Sequence, residues 1–220
     1  MAERKRPRRT RERILETSLA LFNRLGEPNV TTATIADEMN ISPGNLYYHF
    51  RNKDEIVGEL YDALEARLLP LLAVPEDRAP DVEDLWFLLH MLFEAMWTYR
   101  FFYRDVVELT TRVRRIGIAF SAFVRRAEAT VVALAHGMRA AGSLQASDRE
   151  LAAMARNAVI VATWWMSFQR TSTPPPARAH DDDRSAPELD RAAYQVLALV
   201  APFAVGQTRE HLTRLGERYL

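Results

Sequence analysis

The chain has 220 residues, and its 29 lysine and arginine side chains balance its 29 aspartate and glutamate side chains, so the formal net charge is zero. The lack of cysteine excludes disulfide scaffolds, thiol catalysis and cysteine-based metal sites. No apolar run approaches the roughly 20 residues of a membrane span, and no apolar signal segment follows the basic N-terminus. We therefore expect a soluble, cytoplasmic protein with no membrane partner.

The charge is unevenly distributed along the chain. Residues 1–53 carry ten positive against six negative side chains, a local net charge of +4, and seven of these cations lie in residues 1–13. A basic arm over residues 1–9 is typical of nucleic-acid-binding proteins, because cations that neutralise phosphates release counterions. The alternative is a solvated tail that only keeps the protein soluble.

The chain is predicted to be all-α. Glycine is rare, no stretch alternates with period two, and apolar residues recur at helical spacing almost everywhere. The first four helices are predicted over residues 10–25, 32–39, 43–50 and 53–68.

Polar side chains that can accept hydrogen bonds from free backbone N–H groups precede these helices. The predicted caps are Thr10, Thr31 or Thr32, Ser42 and Asn52. Pro43 fits the first turn of the third helix, where a missing N–H costs nothing. Glu55, three residues after the last cap, predicts a capping box.

The second half is richer in large apolar residues and is also predicted to be helical. Helices are expected over residues 81–100, 112–141, 148–170 and 188–201, with a short aromatic piece at 101–109 and a more polar helix after Gly206. Residues 171–187 contain three consecutive prolines and three consecutive aspartates, which predicts a mobile loop.

The two short helices at 32–39 and 43–49 are joined by a tight turn, which predicts a helix-turn-helix. Such a unit presents the start of its second helix to the major groove of DNA. Small residues lead this helix and polar aromatic residues follow, so close approach and phosphate binding by backbone N–H groups and tyrosine hydroxyls are both possible. Alternatively, Tyr47 or Phe50 are core residues and the Ser-Pro-Gly sequence is a plain turn.

A resemblance to the DNA-binding domain of the TetR (tetracycline-repressor) family lies in residues 30–53, VTTATIADEMNISPGNLYYHFRNK. It is carried by Thr-Thr before Ile-Ala, by Leu-Tyr-x-His-Phe, and by the Asn-Lys that opens the fourth helix. The resemblance covers about residues 10–60, and the later chain matches only in helix count and order. It implies an all-α homodimeric repressor with a three-helix head and a larger C-terminal helical bundle.

The resemblance also implies the division of the chain and the roles of its residues. A basic arm (1–9) precedes a helix-turn-helix domain (10–52) and a C-terminal ligand-binding and dimerisation domain (53–220). The residues implied in DNA binding are Arg8, Arg9, Thr31, Thr32, Ala33, Thr34, Ser42, Pro43, Gly44, Asn45, Tyr47, Tyr48, His49 and Lys53. Ala33 cannot hydrogen-bond a base edge, so base recognition is expected to shift to Asn45, Tyr48 and the arm.

Aromatic residues crowd positions 86–103 and 164–168, where they form either core or an apolar effector pocket. The pocket candidates are His90, Phe93, Trp97, Phe101, Phe102, Trp164 and Phe168. His90 and Glu94 lie one turn apart but lack further ligands at a recognisable spacing, so no metal site is predicted. No cofactor is implied.

Two alanine-rich helical faces suit close helix packing, either within the chain or in a four-helix dimer interface of the kind that the resemblance implies. The interface candidates are Leu151, Ala155, Ala158, Ala162, Trp165, Leu189, Ala193, Val196, Leu197 and Val200. A dimer is favoured because one helix-turn-helix makes too few contacts for tight, specific binding.

These features predict a repressor that binds a palindromic operator in double-stranded DNA as a homodimer and is released by a small apolar or aromatic effector. The alternatives are a constitutive DNA-binding regulator without ligand gating, and an all-α enzyme with an aromatic pocket. No nucleophile elbow, phosphate-binding loop or dinucleotide fingerprint supports the enzyme, so catalysis is not predicted.

Overall fold

The computed structural model describes residues 7–75, 77–172 and 187–219, and the side chains of these ranges except at 7–8 and 187–189. The described residues form helices and no extended strand, as the sequence predicts. The helices are α1 Pro7–Leu25, α2 Thr32–Glu38, α3 Pro43–His49, α4 Lys53–Leu68, α5 Val82–Thr98, α6 Arg100–Arg104, α7 Val106–Arg112, α8 Arg114–Ala140, α9 Asp148–Ser172, α10 Pro187–Val200 and α11 Gly206–Glu217. None of them combines the length and the apolar character that a membrane crossing requires.

The start of α1 differs from the prediction. Pro7 is already helical, so Thr10 lies inside α1 and the predicted cap at this residue is wrong. Arginine is a good helix former, which explains why the helix continues into the basic segment. Arg9 is an exposed residue of α1 rather than part of a separate arm. Residues 1–6 of the predicted arm, and most of the predicted loop at 171–187, lie outside the described residues.

The aromatic piece at 101–109 is two short helices, α6 and α7, which break at Asp105. We call α1–α3 the head and the chain from α4 onward the body. Phe101 packs against Phe22 of α1 with ring centroids 5.3 Å apart. Asn23 of α1 accepts a hydrogen bond from the Phe101 amide at 3.0 Å and donates one to the Thr98 carbonyl at 2.9 Å. These contacts fix the head on the body.

The apolar core of the body lies between its long helices. α9 packs against α6, α8 and α10, while α5 packs against α8 and α10. Gly142 closes the segment after α8 with φ of +77°, a conformation that glycine adopts without steric cost.

Candidate nucleic-acid interface

The turn between α2 and α3 has the geometry of a helix-turn-helix. Asn40 takes the left-handed conformation with φ of +52°, which ends α2. The Ile41 amide then donates to the Ala36 carbonyl at 3.0 Å, and Ser42 Oγ accepts from the Asn45 amide at 3.2 Å. Ser42 therefore caps α3 as predicted, with Pro43 in its first turn.

The start of α2 is capped by Thr31, one of the two predicted caps. Thr31 Oγ1 accepts from the Thr34 amide at 3.1 Å. Thr34 completes a capping box, because its hydroxyl accepts from the Thr31 amide. At α4, the Asn52 side chain accepts a hydrogen bond from the Glu55 amide at 2.9 Å, as predicted. The Glu55 carboxylate accepts from the Arg51 amide and not from the Asn52 amide, so the predicted capping box does not form.

The outer face of the helix-turn-helix presents polar groups to solvent. The side chains of Ile35, Leu46 and Phe50 are buried in the apolar core, which confirms the core interpretation for Phe50. Tyr47 is 51% exposed and Tyr48 79% exposed, so the core interpretation of Tyr47 is wrong. Two large exposed aromatics on one short helix are unusual for a surface without a partner.

A hydrogen bond links the starts of the two helices on this face. Thr32 Oγ1 and Tyr47 Oη lie 3.0 Å apart, which holds the phenol hydroxyl beside the first turn of α2. The exposed residues here are Thr31, Ala33, Ser42, Pro43, Gly44, Asn45, Tyr47 and Tyr48, with Thr32, Thr34 and His49 partly buried. The structure thus brings these predicted DNA-binding residues to one surface.

Gly44 lies in the first turn of α3 and is exposed. A β-carbon built there would have only Ser42 Oγ near it, at 3.9 Å. The packing of the chain itself therefore does not require glycine at this position. A small residue here allows another molecule to approach the helix backbone closely.

The side chain of Lys53, predicted to bind DNA, contacts Glu27 of the same chain. Its Nζ lies 3.0 Å from Glu27 Oε1 and donates to the Glu27 carbonyl at 3.0 Å, so the ammonium is held inside the junction of head and body. Arg112 Nη2, at the end of α7, reaches the same carboxylate oxygen at 2.7 Å. Arg112 also contacts Asp54 at 3.1 Å and Glu108 at 2.8 Å.

Sequence reasoning missed two residues that organise this region. Glu27 is wholly buried, yet a single glutamate in a short turn carries no local sign of burial. Arg11 lies in the basic segment, but its guanidinium donates to the His49 carbonyl at 2.7 Å, pairs with Glu59 and lies 4.2 Å from the centre of the Phe50 ring. Arg11 therefore stabilises the end of α3 and does not project toward a ligand. The side chain of Arg8 lies outside the described residues.

The seven predicted pocket residues do not line one cavity. Phe101 is buried at the junction of head and body, and Phe102 is buried within the body beside Tyr61 and Phe120. Trp164 and Phe168 are exposed on α9. His90, Phe93 and Trp97 border a separate small depression with Glu94 and Tyr219. The prediction of one shared pocket is wrong because it grouped aromatic residues by sequence position rather than by helix face.

The body contains a different cavity, of about 50 Å³, between α5, α8, α9 and α10. Its walls are mostly leucine, methionine, valine and alanine side chains. Tyr103 and Thr163 carry the hydroxyl groups among its lining residues.

Most of the residues predicted for the dimer interface are buried inside the single chain. Leu151, Ala155, Ala158 and Ala162 of α9 are buried inside the chain, and so are Ala193, Val196, Leu197 and Val200 of α10. Trp165 is partly buried against this core, and the side chain of Leu189 lies outside the described residues. The alanine-rich faces thus pack against each other within one chain, which is the alternative that the sequence left open. The opposite face of α9 exposes Ile160, Trp164 and Phe168 at four-residue spacing.

Two family models match the chain. A model described as bacterial regulatory proteins, tetR family, matches residues 14–60, and the TetR model described as a bacterial transcriptional repressor matches residues 63–212. The probable acrEF/envCD operon repressor of Escherichia coli (strain K12) is 36% identical over 53 residues, 24% of this chain and 24% of that protein. The tetracycline repressor protein class C of Escherichia coli is 33% identical over 54 residues, 24% of this chain and 25% of that protein.

These alignments span about a quarter of the length of the curated relatives. A solved structure gives a likeness over nearly the whole chain. The TetR-family transcriptional regulator from Marinobacter aquaeolei VT8 is 37% identical, with a TM-score of 0.83, over 96% of this chain and 98% of that one.

Proposed function

The chain belongs to the TetR family of bacterial regulatory proteins, and from this membership we propose that it is a repressor that binds a palindromic operator as a homodimer. A small apolar effector releases it. The single observation that carries the proposal is the helix-turn-helix surface, where Gly44, Asn45, Tyr47 and Tyr48 are exposed at the start and along one side of α3.

The proposed DNA contacts combine positioning and base recognition. The amides at the starts of α2 and α3, together with the Thr32 and Tyr47 hydroxyls, bind phosphates. Asn45 and Tyr48 face the base edges, and asparagine has the paired donor and acceptor that match adenine. Lys53 has a different role from the phosphate contact first expected, because its ammonium is occupied by Glu27. We assign it to the junction that fixes the head on α4.

The proposed division of the chain follows from the same arrangement. Residues 10–52 bind DNA, and residues 53–220 bind the effector and form the dimer. Ile160, Trp164 and Phe168 supply the centre of the dimer interface, because they are large apolar side chains left in solvent on one stripe of α9. Two recognition helices then lie about one DNA turn apart, roughly 34 Å.

The effector is proposed to act by a population shift between two dimer states. The cavity touches α5, α6, α8, α9 and α10, and the head contacts α4 and α6 directly and α7 through the Glu27–Arg112 ion pair. An effector that binds better to a state with misaligned heads favours that state by its difference in affinity alone. The Glu27 ion pairs would carry the shift, since they join α7 to the start of α4.

A second candidate is a regulator that binds DNA constitutively. It is favoured by the small volume of the cavity, about 50 Å³, because sites for drug-sized ligands enclose roughly 300–1,000 Å³. The two candidates differ in whether any small molecule changes the affinity for the operator.

Selection of genomic fragments by the purified protein tests the proposal. We expect enrichment of a palindrome whose half-sites lie about one DNA turn apart, followed by release of the labelled fragment by small apolar compounds in a mobility-shift assay. Failure to enrich any sequence at physiological salt would overturn the proposal of an operator-binding repressor. Enrichment without release by any compound would favour the constitutive regulator.

A further inference from the structure

One face of α4 carries a glycine between two aspartates. Asp54, Gly58 and Asp62 follow one another at four-residue spacing, so they lie on the same side of the helix and span about 12 Å of its length. Gly58 is buried in the interior of α4, where glycine is a much poorer helix former than alanine. A residue that local helix preference disfavours has its reason in the packing around it.

That reason is the guanidinium of Arg115, the second residue of α8. A β-carbon built on Gly58 would overlap Arg115 Nη2 and lie 2.9 Å from Cζ, so a larger side chain there would displace the guanidinium. Arg115 Nη1 donates to Asp62 Oδ1 at 2.7 Å, and Nη2 donates to Oδ2 at 3.2 Å. Paired hydrogen bonds of this kind fix the orientation of the guanidinium as well as its position.

The start of α8 is itself packed closely on α7. Gly117 lies against the backbone carbonyl of Thr110, where a β-carbon would not fit. Arg112, the last residue of α7, contacts Asp54 through Nε at 3.1 Å. Arg112 and Arg115 therefore bind α4 at the two ends of the same face.

The head is attached to α4 by other contacts. Arg11 of α1 pairs with Glu59, and Lys53 pairs with Glu27 in the turn after α1. The helices α1 and α4 also pack directly against each other. A change in the position of α4 on α8 would therefore move the head as well.

We infer that Arg115 is a positioning residue for operator binding, because its guanidinium on Gly58 and Asp62 fixes α4 on α8 and thereby fixes the head relative to the rest of the body. The inference rests on the proposed function and deepens it, since Arg115 lies outside the proposed DNA-binding surface. The Arg115 and Asp62 side chains are each about half exposed, and ion pairs so exposed add little to folding stability. Loss of the contact should therefore displace the head without unfolding the protein.

Spin-label distances on the full chain test the position of the head without DNA. Because the sequence contains no cysteine, Ala20→Cys on α1 and Ala129→Cys on α8, both at exposed positions, supply the only two labelling sites. Dilution with an excess of unlabelled chain restricts the double electron–electron resonance signal to the distance within one chain. Arg115→Gln and Gly58→Ala should each shift or broaden this distance distribution. Neither should lower the urea midpoint of unfolding, and alanine at position 58 favours the helix.

Operator binding of the unlabelled variants tests the functional consequence. We expect Arg115→Gln and Gly58→Ala each to weaken it about fivefold, the lower end of the coupling measured between separate sites. The double variant should lose no more than either single variant, because both remove the same contact. The controls are Arg125→Gln, whose partner lies on its own helix, and Gly216→Ala, where a β-carbon has ordinary contacts. Both controls should leave the distance and the affinity unchanged.

The inference is overturned if both variants keep the distance distribution of the unmodified protein, or if the distribution changes while operator affinity does not. It is also overturned if the two losses of affinity add in the double variant. Arg115→Gln decides the matter alone if Gly58→Ala does not fold. If the unmodified protein binds no operator, the proposed function fails, and the distances alone decide whether Arg115 fixes the head.

Discussion

Arg112 Nη2 lies 2.7 Å from Glu27 Oε1, and this contact joins the end of α7 in the body to the turn that follows α1 in the head. The same carboxylate oxygen lies 3.0 Å from Nζ of Lys53, the first residue of α4. Because Glu27 is wholly buried, water screens these attractions less than it would at the surface. One carboxylate therefore ties the head, α4 and α7 together.

We expect Glu27→Gln to lower the free energy of unfolding by about 2 kcal/mol, because the amide leaves two cations without their shared counter-charge. Both cations are partly exposed, which keeps the loss below that of a fully buried pair. Urea unfolding measures the change. The matched control is Glu108→Gln, which removes an exposed partner of the same Arg112 and should cost less than about 0.5 kcal/mol. Equal losses in the two variants would contradict the assignment.

Substitutions of Lys53 and of Arg9 should have different effects on the salt dependence of operator binding. Arg9 is exposed on α1, whereas the Lys53 ammonium is held by Glu27. If only Arg9 contacts phosphate, Arg9→Gln reduces the slope of log affinity against log salt by about 0.9, the value for one phosphate contact. Lys53→Gln leaves that slope unchanged and lowers the free energy of unfolding. A slope that falls for Lys53→Gln and not for Arg9→Gln would reverse the two roles.

Tyr47→Phe should weaken operator binding about fivefold without changing folding stability. The variant removes the hydroxyl that lies 3.0 Å from Thr32 Oγ1, and one hydrogen bond contributes about 1 kcal/mol. The side chain is half exposed, so its hydroxyl adds little to folding. Fluorescence anisotropy with a selected operator measures the affinity, and Tyr194→Phe on α10 is the control. If both variants bound the operator as tightly as the unmodified protein, Tyr47 would lie outside the interface.

The sequence predicted those features that depend on neighbours along the chain. The caps at Thr31, Ser42 and Asn52 are confirmed, because a cap needs only its own side chain and an amide two or three residues later. The helix-turn-helix is confirmed for the same reason, since a short turn and two apolar faces define it. The exposure of Tyr47 was not decided by the sequence, which left a core position open, and the fold leaves its side chain 51% exposed.

Features that depend on distant residues were not predictable. The partner of Lys53 is 26 positions away along the chain, and no local pattern marks Glu27 as buried. The alanine-rich faces of α9 and α10 were equally compatible with packing inside one chain or between two, because small residues favour close helix contact in both cases. Only the fold decides which face of α9 remains in solvent.

Asp105, at the break between α6 and α7, should make stability depend on pH. Burial raises the pKa of this carboxyl above its ordinary value of 3.8; Arg170 opposes the rise and Glu27 adds to it. The folded state thus binds the proton more tightly than the unfolded state, so the free energy of unfolding falls as pH rises from about 4 through the raised pKa.

The Asp105→Asn variant removes this dependence. We expect it to raise the free energy of unfolding at pH 7 by about 0.5 kcal/mol, a value kept small by the partial exposure of the side chain. The gain should shrink as the pH is lowered toward 4. Urea unfolding at both pH values measures it, with Asp37→Asn on exposed α2 as the control for loss of one charge. A gain in the free energy of unfolding that was larger at pH 4 than at pH 7 would show that folding does not raise the pKa of Asp105.

Phe168 and Phe87 are each 57% exposed, which makes them a matched pair for testing the proposed dimer interface. Phe168 continues the stripe of Ile160 and Trp164 on α9, whereas Phe87 lies on α5, outside that stripe. A charge in the centre of an apolar interface leaves a desolvated carboxylate without a partner, but the same charge in solvent costs little. Phe168→Asp should therefore convert the dimer to a monomer of 25.2 kDa in sedimentation velocity, while Phe87→Asp should leave the mass unchanged.

Operator affinity should also distinguish these two variants, because a palindromic site is bound tightly only when both recognition helices of a dimer engage it together. We expect Phe168→Asp to lose at least tenfold in operator affinity, and Phe87→Asp to retain it. Both variants should unfold at similar urea concentrations, since neither side chain is buried within one chain. A dimer that survived Phe168→Asp and dissociated with Phe87→Asp would move the interface from α9 to α5.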